Sequence, residues 1–178
     1  SNDMDNACHN LEDYLKEDDC RLKKLLMSNS DIDDIECSIF MKALGRNHTL
    51  TFLDLSHNEI GKMENRNHVE PSFITGGEAI AAMLRQNRTL HHLDLSWNYL
   101  MKDSAEELAV AISSNFTLTS LNLAHNAFSN LASQCLADSM KYNRIVKHLD
   151  LSYNEMSPQA ALLMADVLRN NEVVNNII

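Results

Sequence analysis

Several things that enzymes and membrane proteins depend on are scarce here. Only four glycines and two prolines occur in 178 residues. Gly45, Gly61, Gly76 and Gly77 cannot spell GxGxxG or a P-loop, so no phosphate-cradling backbone is expected. GxSxG and HExxH are missing as well, and no catalytic residue is assigned. The four cysteines (Cys8, Cys20, Cys37 and Cys135) form no CxxC pair and no disulfide-type density, which points to a reducing compartment. No apolar run approaches the roughly 18 residues of a membrane span. No basic stretch followed by an apolar one marks a signal peptide, and the protein is expected to be cytoplasmic. Basic residues are the minority, 15 against 25 acidic, for a net charge of -10. Nucleic acids and anionic membranes require a basic face, so neither is expected as a partner. An apolar fraction of 44% and a mean hydropathy of -0.29 suit a globular chain with one core.

What is present is a repeat. "LHHLDLSWNYL" (Leu90 to Leu100) recurs as "LTFLDLSHNEI" (Leu50 to Ile60), "LTSLNLAHNAF" (Leu118 to Phe128) and "VKHLDLSYNEM" (Val146 to Met156). A weaker copy is "LKKLLMSNSDI" (Leu22 to Ile32), with Ser30 at the usual Asn position. Units begin at residues 22, 50, 90, 118 and 146, with a partial one at 174, at spacings of 28, 40, 28, 28 and 28. Apolar residues at positions 4 and 6 alternate as in a strand with one buried face. The Asn at position 9 can satisfy backbone groups at the bend, because its amide both donates and accepts. Helical spacing follows: Ala105, Leu108, Ala109 and Ile112; Leu136 and Met140; Met164, Ala165 and Leu168. Each unit is strand, turn, helix. Since none buries its own apolar face, neighbours must stack.

On these motifs the chain resembles leucine-rich repeat proteins of the long-repeat, ribonuclease-inhibitor-like subclass, from Leu22 to Ile178. The wording "LDLSWN" is also similar to repeats of NACHT receptors and of intracellular and ciliary leucine-rich proteins. The resemblance implies an α/β solenoid, a horseshoe of about five repeats with a parallel inner sheet and outer helices. It also implies a non-enzymatic scaffold without cofactors, with ciliary or cytoskeletal association among the options.

Residues 1–21 read as an acidic segment and helical cap, with Asn10 capping a helix that carries Leu11, Tyr14 and Leu15. A disordered acidic tail before residue 10 is the alternative. The repeat domain is expected over 22–178. "EVVNNII" opens a strand at Val174 without a capping element, which suggests a fragment of a longer array, or self-association through that end. The longer spacing maps to an insertion over 61–73, followed by a capping-box pattern at Thr75 to Glu78.

Asn47, Asn87 and Asn115 match N-glycosylation patterns. Asn143 and Asn171 hold the same place without the Thr, so the column is read as a helix end using αL geometry and side-chain bonds to backbone. His57 and His125 share position 8 two repeats apart, roughly 10 Å at the parallel strand spacing. His92 and His148 share position 3 at the same remove. That is too far for one zinc ion, and no metal site is assigned. Asp54, Asp94 and Asp150 form a position-5 ladder, read as a solvated row rather than an acid–base pair.

Positions 3, 5 and 7 face opposite to the core, with position 8 at the edge of that surface. Position 3 brings Phe52, His92 and His148; position 8 brings His57, Trp97, His125 and Tyr153. Aromatic bodies with polar tips among small Ser and charged Asp are the composition of a hot spot with a polar rim. The expected partner is a protein, with the aspartates favouring a basic patch and the histidines making affinity pH-sensitive near neutrality. Two other roles fit less of the sequence. One is regulation of a small GTPase, for which only Arg66 in the insertion speaks; the other is a structural block of a larger array.

Overall fold

The structure, a computed structural model, describes residues 2–65 and 73–178. Helix α1 (Asn2–Lys16) leads into β1 (Lys24–Leu26), α2 (Asp34–Leu44) and β2 (Phe52–Asp54). A 3₁₀ turn (Lys62–Asn65) then precedes α3 (Gly76–Gln86). The pattern continues with β3 (His92–Asp94), α4 (Lys102–Ser113), β4 (Ser120–Asn122), α5 (Asn130–Tyr142), β5 (His148–Asp150), α6 (Pro158–Asn170) and β6 (Asn176–Ile177). The six strands form one parallel sheet in chain order, with equivalent repeat positions in register: Leu53, Leu93, Leu121 and Leu149 face one another across neighbouring strands. Successive helices pack side by side, so sheet and helix layers enclose a continuous core.

That core is the leucine pattern. Leu90, Leu93, Leu95 and Leu100 are all at most 2% exposed, as are Leu118, Leu121, Leu123 and Phe128. The helices close it with Leu108 and Ile112, then Leu136 and Met140. In α6 the inward residues are Ala160, Met164 and Val167; Ala165 is exposed and Leu168 only half-buried. The helix is thus rotated from the expected face, because Val167, between the two expected positions, is bulkier than Ala165 and takes the core position.

Helix α1 also departs from expectation. It starts at Asn2, so Asn10 lies within it rather than at its cap. No Gly or Pro interrupts residues 2–16, and nothing local stops the helix. Leu15 is buried and Leu11 packs on the core, while Tyr14 remains 39% exposed.

Two asparagine ladders tie the repeats together. At position 9, Asn98 donates to the Leu55 and Leu95 carbonyls (2.9 and 3.1 Å) and accepts from the Ile60 N–H (3.1 Å). Asn126 and Asn154 repeat the arrangement one unit further on. After each helix, Asn87, Asn115, Asn143 and Asn171 are at most 4% exposed and donate to carbonyls of the preceding unit, as from Asn143 to Ile112 at 2.9 Å. Each accepts in turn from backbone N–H groups two and three residues on. These buried amides are structural, and in the folded chain they leave no room for a glycan. Their backbone is extended, not αL: φ is -64° at Asn87 and -68° at Asn143. The left-handed residues lie elsewhere: one at position 8 of each of the five units, with Asp31, Gly61 and Lys102 besides.

The insertion is anchored where its ends are described. Glu64, in the 3₁₀ turn, accepts from the Ser104 N–H at 3.2 Å and so caps α4, whose own N-cap residue Met101 supplies no side-chain bond. Burial holds the Glu64 carboxyl above its ordinary range, with Ser104 opposing the shift and Asp103 adding to it. A carboxyl raised on folding binds its proton more tightly in the folded chain, so its ionisation weakens the fold as pH climbs past the unfolded value. Glu64→Gln is therefore expected to gain stability relative to wild type between about pH 4 and about pH 7, the span over which such carboxyls ionise. Urea unfolding of both proteins at the two pH values measures this, and a pH-independent difference would contradict it.

Candidate protein-binding face

The five position-8 residues all have positive φ: Asn29 54°, His57 55°, Trp97 55°, His125 53° and Tyr153 55°. A left-handed conformation costs non-glycine residues roughly 1–2 kcal/mol each. The position-9 asparagine holds the bend in return: Asn98 donates to the Leu95 and Ser96 carbonyls just before it and to the Leu55 carbonyl of the preceding repeat. Because every unit turns the same way, the next side chain emerges at the same angle one strand spacing away.

The rings therefore stack. His57 and Trp97 lie 5.2 Å apart between centroids, Trp97 and His125 3.7 Å, and His125 and Tyr153 4.0 Å, with interplanar angles of 13°, 13° and 14°. Both faces of the indole are covered by imidazoles. What Trp97 offers outward is its edge, and it remains 49% exposed; Tyr153, at the end of the column, is 76% exposed. Aromatic pairs contribute about 0.5–1.5 kcal/mol each beyond area burial.

Position 3 forms a second, shorter row. Lys24 Nζ sits 4.4 Å over the Phe52 ring, and Phe52 stacks on His92 at 5.7 Å. Ser120 then separates His92 from His148, which is exposed and outside the stack. The position-5 carboxylates are engaged at home rather than forming an open, solvated row. Asp54, Asp94 and Asp150 each accept from the N–H and hydroxyl of the serine two residues on, at 2.9 and 2.7 Å. Asn122 Nδ2 bridges to Asp94 at 3.0 Å, in the gap where the Asp column is broken. All three are half-buried.

Beside the column lies a pocket of about 350 Å³, lined by His57, Trp97 and His125 together with Asp31, Glu59 and Tyr99. The last three are not among the residues that the strand-face columns point to. They occupy position 10, and reading one more column of the repeat would have revealed them. Glu59 pairs with Lys62, whose ammonium also lies 5.7 Å from the Tyr99 ring centroid.

Among the described residues, no group of three or more His, Cys, Asp or Glu side chains converges as a metal site would. Cys37 is fully buried, and burial pushes its thiol up, helped by Asp34, Asp33 and Glu36. At Cys20 burial works the same way but is outweighed by hydrogen bonds from Thr49, the Leu22 backbone, Asn47 and Tyr14, which hold that thiol below its usual value. Arg66 and most of the 61–73 insertion lie outside the described residues. Among the described residues no helix is long and apolar enough to cross a membrane.

A parallel sheet of in-register strands backed by helices, with asparagine ladders at both turns, defines a repeat solenoid. The leucine-rich repeat family model matches residues 46–62, 86–109, 114–137 and 142–165, half of the chain, and the protein belongs to that family. No curated protein matches it in sequence. Among solved structures it is similar to leiomodin-1 actin-binding site 2, with 21% identity, a TM-score of 0.68, and coverage of 89% of this chain and 85% of that one. It is also similar to the tropomodulin C-terminal domain of Caenorhabditis elegans, with 13% identity, a TM-score of 0.71 and 91% of each chain covered. At these identities the likeness is one of fold.

Proposed function

We propose that the protein is a non-enzymatic interaction module that binds a protein partner across the open sheet face, anchored on the His57–Trp97–His125–Tyr153 column. The observation that carries this reading is the stack itself. Four rings held by their neighbours lose little rotamer freedom on binding, so their contact area is gained at low entropic cost. The exposed indole edge and phenol supply hydrogen-bonding tips beside apolar bodies, as interface anchors do. Asp31 beside the column favours a partner with a basic patch.

The test is affinity capture from native lysate with wild type and with Trp97→Ala/Tyr153→Ala, after circular dichroism has shown both to be equally folded. The expected result is a partner held by wild type and weakened at least ~30-fold in the double variant, in line with the 2 kcal/mol or more of a hot spot. An unchanged set of partners would make the column architectural. A second reading, favoured by the likeness to leiomodin-1 actin-binding site 2, is that the partner is actin. Co-sedimentation with filamentous actin and gel filtration with monomeric actin decide it directly; failure of both discards actin without touching the capture result.

A further inference from the structure

The helical side carries a separate surface of opposite charge. A trough of about 720 Å³ runs between α2 and α3. Ile35, Ser38 and Lys42 line it from α2, and Ala79, Ala82 and Met83 from α3. These are spacings of three and four, so each helix contributes one continuous stripe. The trough follows both helices along an 11-residue length, roughly 16 Å at the helical rise.

Its two ends differ. At the start of α2 and α3 it is apolar: Ile35 and Ile74, which both line it, are 51% and 54% exposed. At the other end stand Lys42 and Arg46, both exposed and with no ion-pair partner among the described residues, whereas Lys16 nearby is paired with Glu12 at 2.6 Å. Two unpaired cations at the end of an apolar trough stand out on a chain of net charge -10.

We infer that this trough docks an acidic amphipathic helix of a partner protein, its apolar stripe covering Ile35, Ile74 and Ala82 and its carboxylates meeting Lys42 and Arg46. A helix about 10 Å across bridges both walls, and the absence of bulk at Ala82 lets it approach. The site is independent of the ring column on the sheet.

The probe is a synthetic, fluorescein-labelled helical peptide of about four turns, with leucines at i, i+3, i+4 and i+7 and glutamates on its flanks. A twin peptide carries lysine for each glutamate. Fluorescence polarisation with the full chain is expected to show saturable binding of the acidic peptide, and roughly tenfold weaker binding of the basic one. Ala82→Arg, which fills the trough from an exposed position, and Lys42→Glu/Arg46→Glu are each expected to weaken the acidic peptide at least ~10-fold, the second variant now preferring the basic twin. Trp97→Ala should leave both titrations unchanged. The inference is overturned if the acidic peptide does not saturate, if both peptides bind alike, or if Ala82→Arg binds as wild type does. It is equally overturned if phosphatidylserine vesicles, and not the peptide, are bound in a manner that Lys42→Glu/Arg46→Glu abolishes.

Discussion

Asp34→Ala is expected to cost roughly 3–5 kcal/mol of unfolding free energy, the loss typical of breaking a buried charged network. Asp34 is fully buried in the first turn of α2. One carboxylate oxygen accepts from the Gly61 N–H at 2.8 Å and from the Gly76 N–H at 2.6 Å; the other accepts from Met63 at 2.9 Å. No cation is paired with it among the described residues, so backbone dipoles carry the compensation. One of them, Gly76, is the first residue of α3, where the positive end of the helix dipole favours an anion. A single carboxylate thus ties the start of the insertion to the helix that follows it.

The close approach explains two glycines. Gly61 has φ +90°, and a Cβ there would meet the Tyr99 carbonyl oxygen at 2.5 Å. A Cβ on Gly76 would lie 2.5 Å from Ile60 Cγ2 and 3.0 Å from Asp34 Oδ1. Alanine at position 34 strands the buried Gly61 and Gly76 N–H groups, each costing about 1–3 kcal/mol before relaxation, and the part-buried Met63 N–H, which solvent can reach in part. Asp34→Asn keeps the shape but turns one acceptor into a donor facing donors, and about 2 kcal/mol is the expected loss. Urea denaturation monitored by circular dichroism measures both. A loss below about 1 kcal/mol for Asp34→Ala would mean that water replaces the carboxylate and the clamp is not structural.

Asn98→Ala is expected to cost about 2 kcal/mol, the second largest effect, by leaving the buried Ile60 N–H without an acceptor and by taking one of two amide donors from the Leu55 and Leu95 carbonyls, which keep Asn58 and Asn126. Asn98 is 7% exposed, so water cannot freely take its place. The corresponding Asn154 is half-buried, and Asn154→Ala should lose about half as much, because solvent can satisfy part of what is left. In a solenoid each unit contacts only its neighbours, so a cut at Asn98 weakens the interface between the repeats begun at Leu50 and Leu90 rather than a single unit. The signature is a lower urea midpoint, and a broadened transition if the two halves uncouple. Equal losses at the two positions would show that burial does not govern the ladder.

The repeat period, the leucine columns and both asparagine columns were readable from the chain alone. So were the faces of α4 and α5 and the Thr75–Glu78 capping box, which the structure completes with bonds in both directions. These are consequences of local periodicity: apolar side chains every second residue or every third and fourth must share a face, and a solenoid offers that face one place to go.

Tertiary structure decided the remainder. Trp97 reads in sequence as a free aromatic at an edge, yet its indole is sandwiched between His57 and His125, residues 40 and 28 positions away. That arrangement needs the left-handed turn at position 8; Asn29, His57 and His125 are of types enriched at positive φ, but Trp97 and Tyr153 give no such signal. Asp54, Asp94 and Asp150 looked open but are bound by serines two residues on, a turn visible only once the strand is known to end there. Asp34 looks like an ordinary acid in a first helical turn. Its partners are backbone N–H groups 27, 29 and 42 residues away, which carry no side-chain identity to read. Glu64 likewise caps a helix 40 residues on. Sequence sets what must be buried and with what period; which polar groups then meet depends on how the stacked units bring distant backbone within hydrogen-bonding reach.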